Sequence, residues 1–290
     1  MNLGSFTDDN ARTRFLDLYE RLFQQLWPEP VKAEDVPTTF GPTRVHRAGR
    51  DRGRPIVLLS GAGGNSLMWH RYIRPLGEHH PIVAVDTIGE AGASVQEAPV
   101  QDGRDGAKWL DEVLAGLNVD AAHVVGCSYG GWLAMNHEIH TPGRIATLVL
   151  LDPAGFALPG PRFYGWALAG ALAGLAPRAL RPRLARLVAN GTILETEIMS
   201  LIPAAARYRR RLPNALVFSD DELRTLRTRS LCLLAARSAL HRSRTTAERV
   251  TRLVPAAQVE IVPRTGHALP MDRPDLVVER ILDFVSEEDD

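Results

Sequence analysis

A serine with glycines on both sides, each two positions away, ends one of the apolar runs of the chain. Residues 121–132 have the sequence AAHVVGCSYGGW, and Gly126-Cys127-Ser128-Tyr129-Gly130 fits the pattern G-x-S-x-G. A serine hydroxyl attacks a carbonyl carbon only when a base takes its proton, so the pattern predicts a nucleophile that needs a histidine and an orienting acid. A sharp strand-to-helix turn would expose Ser128 and direct the backbone N–H of Tyr129 toward developing negative charge.

The candidate base is a histidine near the C-terminus. His267 lies in the segment PRTGHALPMDRP (263–274), directly after a predicted strand, and Gly266 leaves room for the imidazole to turn back over the sheet. Histidine suits the role because its ordinary pKa is close to neutrality. His241, in the loop after a predicted strand at 230–236, is the alternative closest to the site. Packing or surface roles are expected for the remaining histidines considered, His70, His79, His80, His137 and His140.

The two motifs together resemble the α/β-hydrolase family, over about residues 38–286. The family combines G-x-S-x-G with a C-terminal G-H-x-x-x-x-[DE]-x-P segment, in the chain order Ser, acid, His. The resemblance implies a second oxyanion donor in the loop after the first buried strand, here Ser60-Gly61-Ala62-Gly63-Gly64. By position, the backbone N–H of Ala62 is that donor, together with the N–H of Tyr129. The resemblance implies neither a metal nor an organic cofactor.

The acid is absent from its most common position. Most members of the family carry an aspartate in the loop after the strand at 230–236, and here that loop is ARSALHRS, with about Ala239 at the expected place. Other members hold the acid at the end of the strand that follows the nucleophile helix. In this chain that strand ends LVLLDP and offers Asp152. Asp152 is therefore predicted to orient His267. An aspartate that only caps a turn before proline is the alternative.

Buried strands alternate with helices along the chain. Continuous apolar runs, typical of strands covered on both faces, occur at 55–64, 81–89, 122–128, 145–156, 230–236 and 258–263. Helical periodicity between them, as at 106–117, predicts an α/β fold with a mostly parallel central sheet flanked by helices. A short antiparallel hairpin is predicted at 38–49.

The predicted domain organisation has three parts. Residues 1–37 form an N-terminal helical extension with one apolar helix at 8–27. Residues 38–155 and 226–290 form the α/β-hydrolase core. The proline-rich segment 156–225 is predicted to be an inserted helical lid over the carboxyl edge of the sheet, where ligands bind in such folds.

The composition limits the partners and the compartment. The 290 residues are 45% hydrophobic and 23% charged with a formal net charge of +0, which gives no reason to expect nucleic acid or an anionic membrane as partner. No secretory signal is apparent, and no apolar run approaches the roughly 18 residues of a membrane span, so a cytoplasmic location is predicted. Cys127 and Cys232 lie in predicted buried strands, which argues against a disulfide or a zinc site.

Aromatic residues are candidates for a substrate pocket. An apolar acyl or ring group of a small-molecule substrate could pack against Trp69, Trp132, Phe156, Phe163 and Trp166. Ordinary packing between lid and core would explain the same residues. The basic run at 207–211, RYRRR, is expected to be a solvated face of the lid rather than a clamp for an anionic substrate.

These features predict a serine hydrolase that cleaves a carboxylic ester through an acyl-enzyme. The same residues would also serve a thioesterase, a lactonase, or a biosynthetic tailoring enzyme that eliminates an acyl group or cyclises its substrate, because one fold hosts many reactions. A non-catalytic binding protein that has lost its acid is the alternative from another functional class.

Overall fold

The central sheet positions every residue of the candidate site. The computed structural model of the protein describes residues 3–27 and 32–289. The strands of these ranges are, in chain order, β1 (Ser5–Phe6), β2 (Lys32–Val36), β3 (Thr43–Gly49), β4 (Ile56–Leu59), β5 (Pro81–Val85), β6 (Ala122–Cys127), β7 (Ile145–Leu151), β8 (Tyr208–Arg209), β9 (Arg229–Ala235) and β10 (Ala257–Val262). Eight of them form one sheet in the order β10-β9-β7-β6-β4-β5-β3-β2, whereas β1 and β8 pair with each other.

Apolar side chains on both faces explain the position of the central strands. Every residue of β4 and β6 is buried, because helices cover the sheet on both sides. Within this eight-stranded sheet, β10, β9, β7, β6, β4 and β5 pair in parallel with their neighbours in that order, and the β3–β5 and β2–β3 pairs are antiparallel. The carboxyl ends of β4, β6, β7, β9 and β10 therefore meet along one edge of the sheet.

Helices cover both faces of the sheet, and further helices form the segment 156–225. In chain order they are α1 (Asp9–Leu26), α2 (His70–Gly77), α3 (Gly103–Gly116), α4 (Tyr129–His140), α5 (Pro161–Gly174), α6 (Arg181–Val188), α7 (Thr196–Ala205), α8 (Asp220–Thr225), α9 (Ser243–Leu253), α10 (Leu269–Asp272) and α11 (Pro274–Asp289). One core cluster joins the sheet to α3 and α4 through residues such as Trp109 and Leu133. The other joins the sheet to α1, α2 and α11 through residues such as Phe15, Ile73 and Ile281. The mixed α/β fold predicted from the sequence is confirmed.

Helix α1 is bound to the sheet by a buried polar cluster as well as by apolar contacts. The side chain of Asp8 caps its N-terminus by accepting from the N–H of Ala11. The hydroxyl of Tyr19 donates to Asp86 Oδ2 at 2.6 Å and lies 2.9 Å from His46 Nε2. Asp86 also accepts from the N–H and the hydroxyl of Ser66. Asp86 thus links α1 to the main sheet.

The segment 156–225 is mostly helical and lies beside the carboxyl edge of the sheet. Its small core consists of Ala173, Ala185 and Ile193. Helix α5 exposes an apolar surface that includes Tyr164, Leu168 and Leu172. A capping box at Ser219 begins α8, which ends the segment.

The predicted N-terminal boundary of the core is corrected by the structure. Strand β2 at 32–36 belongs to the main sheet, where it pairs with β3, so the hairpin uses residues before the predicted range 38–49. The sequence KAEDV hides this strand, because four of its five side chains are exposed and polarity does not alternate along it. Charged side chains are common on an edge strand, since they discourage pairing with another chain.

The helices were also compared with the requirements of a membrane span, over the part of the chain that the structure describes. None of the helices at 3–27 and 32–289 combines the length and the apolar character that a bilayer span requires.

Candidate functional site

The turn between β6 and α4 holds Ser128 in a strained backbone conformation. Ser128 has φ 48° and ψ −110°, a region that costs a non-glycine residue about 1–3 kcal/mol. Its neighbours are small by necessity. A Cβ on Gly126 would lie 2.6 Å from the Gly131 Cα, and one on Gly130 would lie 2.4 Å from the Leu59 oxygen. Ser128 stands at the N-cap of α4, yet its hydroxyl caps no backbone N–H and is left for other partners.

Three side chains from three strand ends form a continuous hydrogen-bonded chain. The Oγ of Ser128 lies 3.0 Å from Nε2 of His267, and Nδ1 of His267 lies 2.6 Å from Oδ2 of Asp152. Asp152 is fully buried, while Ser128 and His267 keep 9% and 7% of their surface accessible. Because a carboxylate can only accept, a neutral His267 carries its proton on Nδ1 and turns the lone pair of Nε2 toward the hydroxyl.

Asp152 is held by donors on its other sides. The N–H of Ala235 donates to Oδ1 at 2.9 Å, and the hydroxyl of Ser238 donates to Oδ2 at 2.7 Å. Burial raises the pKa of the Asp152 carboxyl, but hydrogen bonding from His267 and the nearby imidazoles outweigh that effect, so its pKa lies below the ordinary value. The carboxylate is therefore ionised at neutral pH. Its backbone is strained as well, with φ 43°.

The loop that carries His267 is fixed by another carboxylate. Asp272 accepts from the N–H of Gly266 at 2.7 Å and from the N–H of Gly191 at 2.5 Å. A Cβ on Gly266 would approach the oxygen of Ala189 to 1.9 Å, so only glycine fits between this loop and the segment 156–225. Asp272 thus joins the His267 loop to that segment.

The loop after β4 lies against Ser128. A Cβ on Gly61 would stand 3.3 Å from the Ser128 Cβ. Within the described ranges, the backbone N–H groups of Ala62 and Tyr129 donate to no protein acceptor. Free amides beside a serine hydroxyl are suited to binding an oxyanion.

A buried ion pair supports the same loop. Glu90 is 3% exposed and accepts from the N–H of Gly63 at 3.1 Å and from Nε of Arg210 at 2.6 Å. The guanidinium of Arg210 lies 4.7 Å from the ring centre of Tyr129. Burial raises the pKa of the Glu90 carboxyl, and Arg210 opposes that rise. Arg210 therefore departs from the solvated face expected for 207–211, because its partly exposed guanidinium is paired with the buried carboxylate of Glu90.

The five aromatic residues proposed for a pocket separate into distinct environments. The rings of Phe163 and Trp166 lie edge-on to His267, at 5.4 and 5.5 Å between ring centres, and Phe156 lies beside His241. Trp132 stacks on Tyr129. Trp69 has no exposed surface and packs on Tyr72 in the core, contrary to expectation. The sequence places an aromatic residue after the glycine loop but does not show which way its ring points.

Ser238 is a part of the site that the sequence motifs did not reveal, and His241 was considered only as an alternative base. Both lie in the loop after β9, whose contacts with Asp152 no motif indicated. A buried carboxylate such as Asp152 needs hydrogen-bond donors, and the loop after β9 is next to it. The polar side chains of that loop, Ser238 and His241, could have been identified as these donors.

The cysteines and possible metal ligands complete the description of the site. Cys127 and Cys232 are unpaired and buried, and burial raises the pKa of the Cys127 thiol to about 12. Among the described residues, no group of three or more His, Cys, Asp or Glu side chains is arranged to hold a metal ion.

Comparison with known proteins places this fold and site in a family. The sequence pattern of the alpha/beta hydrolase family matches residues 56–280. The chain therefore belongs to the α/β-hydrolase family, as its motifs had indicated.

Two relatives and two solved structures are similar over nearly the whole chain. The chain is 31% identical to the uncharacterized carboxylesterase nap of Bacillus subtilis, over 91% of this chain and 89% of that protein. It is 30% identical to carboxylesterase YbfK of the same species, over 94% and 93% of the two chains. The crystal structure of naproxen esterase (carboxylesterase NP) from B. subtilis matches with a TM-score of 0.81 and 29% identity, over 94% of this chain and 97% of that one. The structure of carboxylesterase CesB (YbfK) matches with a TM-score of 0.78 and 26% identity, over 95% and 98%.

These similarities determine the class of activity. The protein is an enzyme, a carboxylic ester hydrolase. The alternative of a non-catalytic binding relative is therefore wrong.

Proposed function

We propose that the protein hydrolyses a small, largely apolar carboxylic ester by a Ser-His-Asp mechanism. Ser128 is the nucleophile, His267 the general base and acid, and Asp152 the residue that orients His267. The observation that carries the proposal is the unbroken chain from Ser128 Oγ through His267 to Asp152, with contacts of 3.0 and 2.6 Å. Both distances suit proton transfer and its electrostatic support.

Two half-reactions follow from this geometry. In the first, Ser128 Oγ bonds to the ester carbonyl carbon while its proton passes to Nε2 of His267. The tetrahedral oxyanion is held by the N–H groups of Ala62 and Tyr129, and it collapses as His267 returns the proton to the leaving alkoxide. In the second, His267 takes a proton from water, which attacks the acyl-enzyme. The carboxylic acid product then leaves, and Ser128 regains its proton.

We further propose that the segment 156–225 acts as a lid and that it forms one wall of the substrate pocket. Support comes from Phe163 and Trp166, whose rings contact His267 from α5, and from Asp272, which joins the two loops. Phe156 and Trp132 are further candidates for this wall. An apolar wall next to the base suits an apolar acyl or ring group.

Labelling with a fluorophosphonate probe tests the mechanism directly. The probe phosphonylates a serine only when a base and an oxyanion hole activate it. We expect one probe per chain on the folded enzyme, with none on Ser128→Ala and almost none on His267→Ala. Asp283→Asn, which alters a residue of α11 away from the site, is the matched control and should label like the wild type. Equal labelling of the wild type and Ser128→Ala would contradict the proposal.

The alternative reactions share the acyl-enzyme and differ in the group attacked. Turnover of matched esters, thioesters and lactones would separate hydrolysis of a carboxylic ester from thioesterase or lactonase activity. The named relatives are carboxylesterases, so the ester is favoured. A tailoring reaction would instead give an eliminated or cyclised product, which mass spectrometry distinguishes from the hydrolysed acid.

A further inference from the structure

The loop after β9 surrounds Asp152 with hydrogen-bond donors. Ala235 and Ser238 already donate to its two oxygens, at 2.9 and 2.7 Å. A third side chain of this loop, His241, places Nε2 3.3 Å from Oδ1 of Asp152. The loop that usually contributes an acid in this family therefore contributes donors to an acid on the neighbouring strand.

His241 is a buried polar group that the proposed mechanism leaves unused. Its residue surface is 5% exposed, and neither ring nitrogen has a hydrogen-bond partner with good geometry in the part of the chain that the structure describes. Buried polar side chains are nearly always partnered, so an unpartnered imidazole pointing at a carboxylate needs an explanation.

The groups that face His241 keep its ring neutral. Burial lowers the pKa of His241, and the positive charges of His267 and of Arg162 on α5 lower it further, while only Asp152 acts in the opposite direction. Phe156 covers the ring from the side, with 6.5 Å between ring centres. A neutral imidazole carries one N–H, and its position matters.

The carboxylate selects the tautomer of that imidazole. With the proton on Nε2, the N–H of His241 faces Oδ1 of Asp152, and a small rotation of the ring completes a hydrogen bond. With the proton on Nδ1, a lone pair would face the anionic oxygen at 3.3 Å, which is repulsive. Proximity to Asp152 therefore favours the Nε2–H form.

We propose that His241 is a positioning residue, which as a neutral donor to Oδ1 keeps Asp152 ionised and directs Oδ2 to His267. The inference rests on the proposed function of Ser128, His267 and Asp152 and deepens it. In this arrangement the carboxylate of Asp152 accepts hydrogen bonds from two imidazoles, that of His241 at Oδ1 and that of His267 at Oδ2.

The pH dependence of Ser128 reactivity reports this role. Without the donor of His241, the charge of Asp152 is less neutralised and stabilises the imidazolium of His267 more strongly. The base then loses its proton at higher pH. The loss of one hydrogen bond to a charged group corresponds to a rise of about one pH unit in the midpoint of the acid limb.

The experiment measures the rate of fluorophosphonate labelling against pH for four proteins. We expect the midpoint to rise in His241→Phe and to stay at the wild-type value in His241→Gln, whose amide N–H can replace that of Nε2. His46→Phe is the matched control, because His46 is another buried histidine with a pKa lowered by burial but lies on β3, away from Ser128. It should lower the melting temperature without moving the midpoint. If His241→Phe does not fold, His241→Ala carries the same prediction.

The outcomes separate this inference from the proposed function. A midpoint that is unchanged in His241→Phe and His241→Ala, or shifted equally in His241→Gln, overturns the positioning role while normal labelling of Ser128 upholds the mechanism. Absence of labelling in the wild type instead overturns the mechanism itself. A raised midpoint in His241→Phe with recovery in His241→Gln supports the inference.

Discussion

Replacing Asp152 by asparagine tests the acid while changing a single atom. The amide nitrogen of Asn must occupy the place of Oδ1 or of Oδ2. At Oδ1 it would face the N–H of Ala235, 2.9 Å away, which can only donate and so cannot accept from the amide. At Oδ2 it would face Ser238 and His267, both of which can accept. We therefore expect the nitrogen at Oδ2.

That orientation places the proton of His267 on the wrong nitrogen. Nδ1 must then accept from the amide, so the proton of the neutral imidazole moves to Nε2. Nε2 can then no longer take a proton from Ser128 Oγ. In serine hydrolases such a tautomer lowers kcat about 10,000-fold. The loss corresponds to about 5 kcal/mol of transition-state stabilisation, at 1.36 kcal/mol per tenfold change.

The assay compares kcat for p-nitrophenyl acetate in wild-type protein, Asp152→Asn and Asp220→Asn, with near-UV circular dichroism to show that each variant is folded. Asp220 pairs with Arg249 in a partly exposed ion pair and serves as the matched control, whose kcat should not change. A folded Asp152→Asn enzyme with turnover near that of the wild type would refute the role of Asp152.

Three further predictions concern the backbone strain at Ser128, the ion pair of Glu90 that supports the loop after β4, and the titration of His46. Ser128→Gly should be more stable than Ser128→Ala by about 1 kcal/mol in chemical denaturation, because both lose the hydroxyl but only glycine relieves the strain at φ 48°; equal stability would contradict the strain. Glu90→Gln should lower kcat about tenfold, because Glu90 acts on the loop only through Gly63. This decrease is smaller than the roughly 100- to 1000-fold decrease in rate that follows the loss of an oxyanion donor. An unchanged kcat would contradict the inference that the ion pair supports the loop. The melting temperature should fall as the pH decreases through about 6.5, because burial lowers the folded-state pKa of His46. The unfolded chain then binds more protons than the folded chain. If the slope of melting temperature against pH were unchanged in His46→Phe, this cause would be contradicted.

The sequence was sufficient to predict the alternation of strands and helices. Runs such as 122–128 and 145–156 are mainly apolar and lack the alternation of a half-exposed strand, which favours strands covered on both faces. The structure places the corresponding strands at Ala122–Cys127 and Ile145–Leu151. Edge strand β2 was missed because its exposed polar side chains leave no pattern.

The candidate site was predictable where a motif fixes the local backbone. G-x-S-x-G predicts a turn that only glycines allow, and the close backbone contacts that a Cβ would meet at Gly126 and Gly130 give the reason. The roles of Ser128, His267 and Asp152 remain predictions until the variants are measured, although the three side chains are in contact. The contacts of Glu90 with Arg210 join residues 120 positions apart, and no local pattern encodes such a pair.

The position of Asp152, the proposed acid, directly after β7 has a consequence for how this chain can diverge. Ser128 and Asp152 follow adjacent strands, and the N–H of Ser128 donates to the Leu151 oxygen at 3.0 Å, so sheet geometry itself sets the spacing between these two residues. Both precede the segment 156–225 that we propose as the lid, and only His267 comes after it. A change in the length of this proposed lid would therefore leave Ser128 and Asp152 in place and require only the imidazole of His267 to be realigned.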